Sequence, residues 1–190
     1  QDIYKLANVD SSVVKAMEKK EVFESYDHEV SRIGAYEEDT VDAAELADQQ
    51  KEALKGIDKA FEEERTVLLH GVTGSGKTRV YVEYIKKVIA EGKQALYLLP
   101  EIALTTQIVS RLQNIFGNDI AVYHSRMNNN ERVEIWNSVL TGKSVVLGAR
   151  SALFLPFRDL DLIIVDEEHD ASFKQHDPAP RYNGRDAAVY

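Results

Sequence analysis

The run Gly71-Val72-Thr73-Gly74-Ser75-Gly76-Lys77-Thr78 carries the densest chemistry in the chain. It matches G-x-x-x-x-G-K-[ST], a loop in which glycines let backbone amides turn inward around a phosphate chain. Any side chain at those points would block the approach. Lys77 is placed to reach the β- and γ-phosphates of a nucleotide, and the Thr78 hydroxyl suits Mg²⁺. A second concentration follows at Asp166-Glu167-Glu168-His169, directly after the apolar run Leu162-Ile163-Ile164-Val165. Carboxylates at a strand end beside a phosphate loop can supply a further magnesium contact at Asp166 and a water-polarising base at Glu167. Taken alone, acidic residues often merely end a strand. Paired with a complete phosphate loop upstream, they point to nucleotide hydrolysis.

The elements that must hold these groups are legible around them. Val67-Leu68-Leu69 predicts a strand running into the loop, and Val80, Tyr81, Tyr84, Ile85, Val88 and Ile89 predict a helix leaving it. The positive end of that helix would face the phosphates at Gly76-Lys77. Ala95–Leu99, Ile120–Tyr123 and Val145–Leu147 predict further strands, with 162–165 as another. Between them lie helices striped by Leu104, Ile108, Leu112 and Phe116, and by Val133, Trp136 and Leu140; Trp136 is expected in the core. Continuous apolar strands alternating with amphipathic helices predict an α/β fold, a parallel sheet covered on both faces.

The first third differs. Asp10-Ser11-Ser12 is positioned to cap a helix bearing Val13, Val14 and Met17, and 21–25 and 29–33 alternate as two strands. A partial winged-helix segment over 1–33 is expected, too short to fold alone. Residues 33–50 hold no Lys or Arg while acids accumulate, so 34–45 reads as an acidic linker and 46–190 as one nucleotide-binding lobe. Across 190 residues, 23 Lys and Arg stand against 32 Asp and Glu, a net charge of −9. That balance disfavours wholesale nucleic-acid binding but leaves room for a local basic or aromatic site. With no cysteine, a disulfide framework is excluded, which fits a reducing cytosol. No run approaches the roughly 20 apolar residues of a membrane span.

The motif words together resemble the superfamily 2 helicases and translocases. They are His70-Gly71 through Thr78, Leu99-Pro100-Glu101-Ile102-Ala103-Leu104-Thr105, His124-Ser125, Gly148-Ala149-Arg150-Ser151-Ala152-Leu153-Phe154 and Ile163 through His169. With the tail from Phe173 to Asp186, their order resembles the primosomal replication-restart helicases. Ala149 departs from the usual Thr, and Thr106 from the usual Pro. The resemblance implies a RecA-like first helicase lobe of a DNA-dependent ATPase, a 3′–5′ DNA helicase active at stalled forks and in primosome assembly. Gln1 is not an initiator, and the chain reads as an internal fragment, with the second lobe and a zinc module outside it. Without a second lobe the fragment is expected to hydrolyse poorly or not at all.

By the same resemblance Gln50 reads adenine, and Pro100, Glu101, Thr105, Arg150 and Ser151 meet the backbone of single-stranded DNA. His169 links the nucleotide site to DNA. Phe173 and Tyr182 are set to stack on bases while Lys174, Arg181 and Arg185 meet phosphates. ATP and Mg²⁺ are the implied cofactors, with zinc only in the missing part. Single-stranded and forked DNA, single-strand DNA-binding protein and other primosome proteins are the implied partners, with no membrane. A bacterial cytoplasmic, nucleoid-associated setting follows. Two alternatives remain: another superfamily 2 translocase, against which His169 argues, and a small-molecule P-loop kinase, which needs neither the acidic run nor the aromatic-basic tail.

Overall fold

The computed structural model describes residues 45–190, Glu64 and Thr73 apart, together with Met17 and Lys20. The chain divides into two compact units, Gln1–Asp39 and Thr40–Tyr190, and only the second is described below. The expected winged-helix segment over 1–33 and most of the acidic linker over 34–45 lie outside the described residues.

Four parallel strands form the sheet: β1 (Gln94–Leu98), β2 (Ile120–Tyr123), β3 (Val145–Gly148) and β4 (Leu160–Val165). They lie in the order β2-β3-β1-β4. Parallel neighbours need crossovers. The helices are α1 (Asp48–Glu62), α2 (Lys77–Ala90), α3 (Thr106–Phe116), α4 (Asn129–Leu140) and α5 (Gly184–Val189); α3 and α4 lie on the crossovers into β2 and β3, and a 3₁₀ segment, Arg150–Phe154, lies between β3 and β4. Strand periodicity then sorts the core into two layers. Ala95, Tyr97 and Leu99 face α1, α2 and α3 through Ile57, Val80, Ile85, Leu112 and Phe116. Leu96 and Leu98 face the other way, toward Val139 of α4, Ala152, Leu155 and Phe173. The sheet is covered on both faces, so the chain has the expected α/β, RecA-like architecture. Among the described residues, no helix is long and apolar enough to cross a membrane.

Among the described residues, one buried polar side chain pins the N-terminal end of β1. Gln94 donates to the carbonyls of Val139 (3.0 Å) and Lys143 (2.9 Å) and accepts from the amides of Arg158 (2.7 Å) and Asp159 (3.1 Å). Every capacity of that amide is used, which is why it tolerates 3% exposure.

Two expectations are corrected. The strand over 67–69 is absent: residues 65–72 are irregular, and Leu68 is 73% exposed. A strand needs a bonded neighbour about 4.8 Å away. Here the segment and β4 instead line a common cleft. Trp136 is not core either. It is 47% exposed, with Val133 and Leu140 also on the outer side of α4, because Val139 and Ile135 supply that helix's inward contacts.

Candidate functional site

Gly74 and Gly76 sit at φ +80° and +82°, a region in which a side chain is strained. Gly76 then caps α2. A Cβ there would also fall 2.3 Å from Gln50 Nε2, and one at Gly71 2.7 Å from Ser75 Oγ. Gln50 Nε2 donates to the Gly76 carbonyl at 3.3 Å and its Oε1 accepts from the Ala47 amide at 3.0 Å. The adenine-reading candidate thus rests on the phosphate loop itself. Lys77 Nζ folds over the loop, donating to the carbonyls of Gly71 (2.6 Å) and Val72 (3.4 Å). Thr73 lies outside the described residues.

The acidic run continues the ladder of β4, since the Asp166 amide donates to the Leu98 carbonyl at 2.9 Å. Asp166 Oδ2 accepts from the Tyr97 hydroxyl (2.9 Å) and Oδ1 from the Glu167 amide (3.1 Å). Glu167 turns the chain at φ +48°, left-handed backbone unusual outside glycine. That turn exposes its carboxylate, 3.7 Å from His169 Nε2. Burial, then the Asp166 carboxylate, pushes the Tyr97 hydroxyl well above the ordinary phenol range; Tyr81 is raised for the same reasons. A cleft of about 800 Å³ gathers Gly71 and Lys77 with Asp166, Glu167, Glu168 and His169.

These groups fit a magnesium nucleotide. A Cβ at Gly71 or Gly76 would meet Ser75 or Gln50, Lys77 shares the cleft with the carboxylates, and Thr78 stands one residue into α2. Among the described residues no three His, Cys, Asp or Glu side chains converge as a metal site.

The residues expected at DNA lie outside that cleft, Arg185 excepted, after the C-terminal ends of β1 and β3 and in the tail. Pro100 is buried at the start of a 3₁₀ turn, Glu101–Ala103, so its surface is not available for contact. Glu101 accepts a hydrogen bond from Ser125, which ties the loop after β1 to the loop after β2. Thr105 caps α3 by accepting from the Ile108 amide at 3.4 Å, and Ser151 is exposed. Arg150 donates to the Ser172 carbonyl at 3.2 Å, and its guanidinium lies 5.6 Å from the Tyr182 ring centre.

In the tail, an antiparallel bridge joins Lys174 to Asn183, leaving Lys174 and Arg181 exposed on a small loop. Phe173 is corrected: at 1% exposure it fills the second core layer, and no face of its ring is open for stacking. Arg185 pairs with Glu168 (3.0 Å) and Asp186 (2.8 Å) and keeps 44% of its side chain exposed.

Sequence reasoning missed Tyr97, read only as one residue of an apolar strand, and Phe154, quoted only within a motif word. Phe154 is 58% exposed and meets Tyr182 edge-on at 5.0 Å. The available signal was a hydroxyl inside an otherwise apolar strand, since buried tyrosines need a partner.

Residues 47–182 match the DEAD/DEAH box helicase family model. Over 99% of its length the chain is 38% identical to replication restart protein PriA of Bacillus subtilis, covering 24% of that protein. It is 38% identical to the same-named protein of Synechocystis, over 98% of this chain and 23% of the relative. Against that of Haemophilus influenzae the identity is 49%, over 64% of this chain and 17% of the relative. The chain spans about a quarter of the length of the first two.

Proposed function

Since the chain belongs to the DEAD/DEAH box helicase family, we propose that it is the ATP-binding first lobe of a replication-restart DNA helicase. The observation that carries this reading is the cleft shared by Lys77 and the Asp166–His169 run. Lys77 would release the loop carbonyls to meet the β- and γ-phosphates while the glycine amides cradle them. Gln50, already fixed against Gly76, would present its remaining amide capacity to the adenine edge. Thr78 and Asp166 would hold Mg²⁺, which would supply positive charge against the phosphate oxygens. Glu167 orients and polarises the attacking water, and His169, 3.7 Å away, senses its state.

Single-stranded DNA would cross the loops after β1 and β3 and the tail. Backbone contacts there come from Thr105, Ser151, Lys174 and Arg181, with Tyr182 as the aromatic face. Arg150 holds that face in place. A second lobe outside this chain would supply the arginine finger, and its lack costs about 10³–10⁵ in rate, so the isolated lobe binds nucleotide better than it hydrolyses it. The names of the relatives support work in replication restart. Forked DNA, single-strand DNA-binding protein, 3′–5′ movement and a bacterial cytoplasmic setting are the finer parts of the same reading.

The test is a thermal shift with a non-hydrolysable ATP analogue and Mg²⁺. The wild-type chain is expected to be stabilised and Lys77→Ala to lose the shift while melting normally without ligand. An equal shift in both removes Lys77, and with it the phosphate loop, from the assignment.

A further inference from the structure

Tyr97 is the one tyrosine among the largest fully buried side chains of the described residues, at 1% exposure. Nothing in the packing of β1 requires its hydroxyl: a phenylalanine would fill the same space, and the ring is already braced edge-on by Tyr81 at 5.6 Å. The hydroxyl instead reaches a side chain of another element. It stands 2.9 Å from Asp166 Oδ2, beyond the end of β4. Asp166 is one of the two side chains the proposed function assigns to magnesium.

Proton counting sets the direction of that bond. An ionised carboxylate only accepts, so the single phenol proton goes to Asp166. Accepting at Oδ2, while Oδ1 takes the Glu167 amide, fixes the rotation of the Asp166 carboxylate.

We infer that Tyr97 is a positioning residue of the magnesium site, a buried strut that orients Asp166 through its hydroxyl. The inference rests on the nucleotide-binding reading above. Hydrogen-bond partners behind metal ligands commonly contribute tenfold or more to metal affinity.

The experiment is isothermal titration of the chain with a non-hydrolysable ATP analogue, in EDTA and in saturating Mg²⁺, for wild type and Tyr97→Phe. Expected is an affinity in EDTA within twofold of wild type, and a strengthening by Mg²⁺ that falls about tenfold. A variant that gains as much from Mg²⁺ as wild type overturns the inference. So does an equal loss in EDTA and in Mg²⁺, which assigns Tyr97 to packing. Wild-type nucleotide binding that ignores Mg²⁺ overturns it too, leaving the phosphate loop standing. No nucleotide binding by wild type in either condition overturns the proposed function itself. If Tyr97→Phe melts earlier, the ratio of its two affinities, taken on one preparation, still separates positioning from stability.

Discussion

Arg185 Nη1 donates to Glu168 Oε2 at 3.0 Å, tying the first turn of α5 to the acidic run that follows β4. The same α5 is packed against the turn that carries Arg150, where Gly184 leaves only 3.0 Å between an added Cβ and Arg150 Cγ. A tail that grips both the carboxylate run and Arg150 is a mechanical link between the nucleotide cleft and the loops proposed to meet DNA.

Arg185→Gln should therefore uncouple more than it unfolds. Both partners are partly exposed, so water and salt screen the pair and it adds little to stability. In a protein carrying both lobes, DNA stimulation of ATP turnover is expected to fall several-fold, with single-stranded DNA affinity within twofold. A stimulation ratio equal to wild type would show that the ion pair is ornamental to coupling.

Glu167→Gln keeps shape and removes the charge that polarises water. Nucleotide affinity should persist while kcat drops by about 10²–10⁴ in the two-lobed protein. A kcat within a few-fold of wild type takes the role of base away from Glu167.

Phe173→Ala and Tyr182→Ala should separate cleanly. The first empties a fully buried site and is expected to cost about 3–5 kcal/mol in chemical denaturation. The second removes a half-buried ring next to exposed bases of the tail, weakening single-stranded DNA binding by about 1–3 kcal/mol with a small effect on stability. The opposite pattern would return Phe173 to the DNA surface and place Tyr182 in the core.

Gln94→Leu strips partners from two carbonyls and two amides at once. Unfolding by denaturant is expected to reveal a loss of at least about 2–3 kcal/mol, because each buried group left unpaired costs about 1–3. A near-neutral result would mean that water reaches all four.

A pH dependence follows from Asp58. Its hydrogen bond from Lys87, then that from Tyr84, holds the carboxyl below the ordinary range. A depressed carboxyl stabilises the fold above its unfolded value, near pH 4, and that stabilisation is lost as pH falls through the lower folded value. Asp58→Asn should thus lower the melting temperature slightly at pH 6, and the difference from wild type should shrink on acidification to pH 3. A difference that is constant with pH would sink the ion-pair account.

From the amino-acid sequence alone, the phosphate loop, the acidic run and the parallel sheet were legible, because each depends on local spacing: glycines at set offsets, carboxylates directly after an apolar strand, and strand and helix periods in alternation. The similarity to replication-restart helicases was legible in the order of the motif words and is borne out by the matches to relatives. What only the tertiary structure decided depends on partners distant in the chain. Whether 67–69 becomes a strand rests on a bonded neighbour, which 65–72 lacks. Whether Phe173 or Phe154 is open to solvent rests on which ring the second core layer absorbs. Trp136 and Val133 follow helical spacing, yet a stripe does not say which of its residues meet the sheet. The Tyr97 hydroxyl, 69 residues from Asp166, acquires its bond only because β1 and β4 lie side by side. Periodicity is a property of neighbours in sequence; burial and hydrogen-bond partnership are properties of neighbours in space.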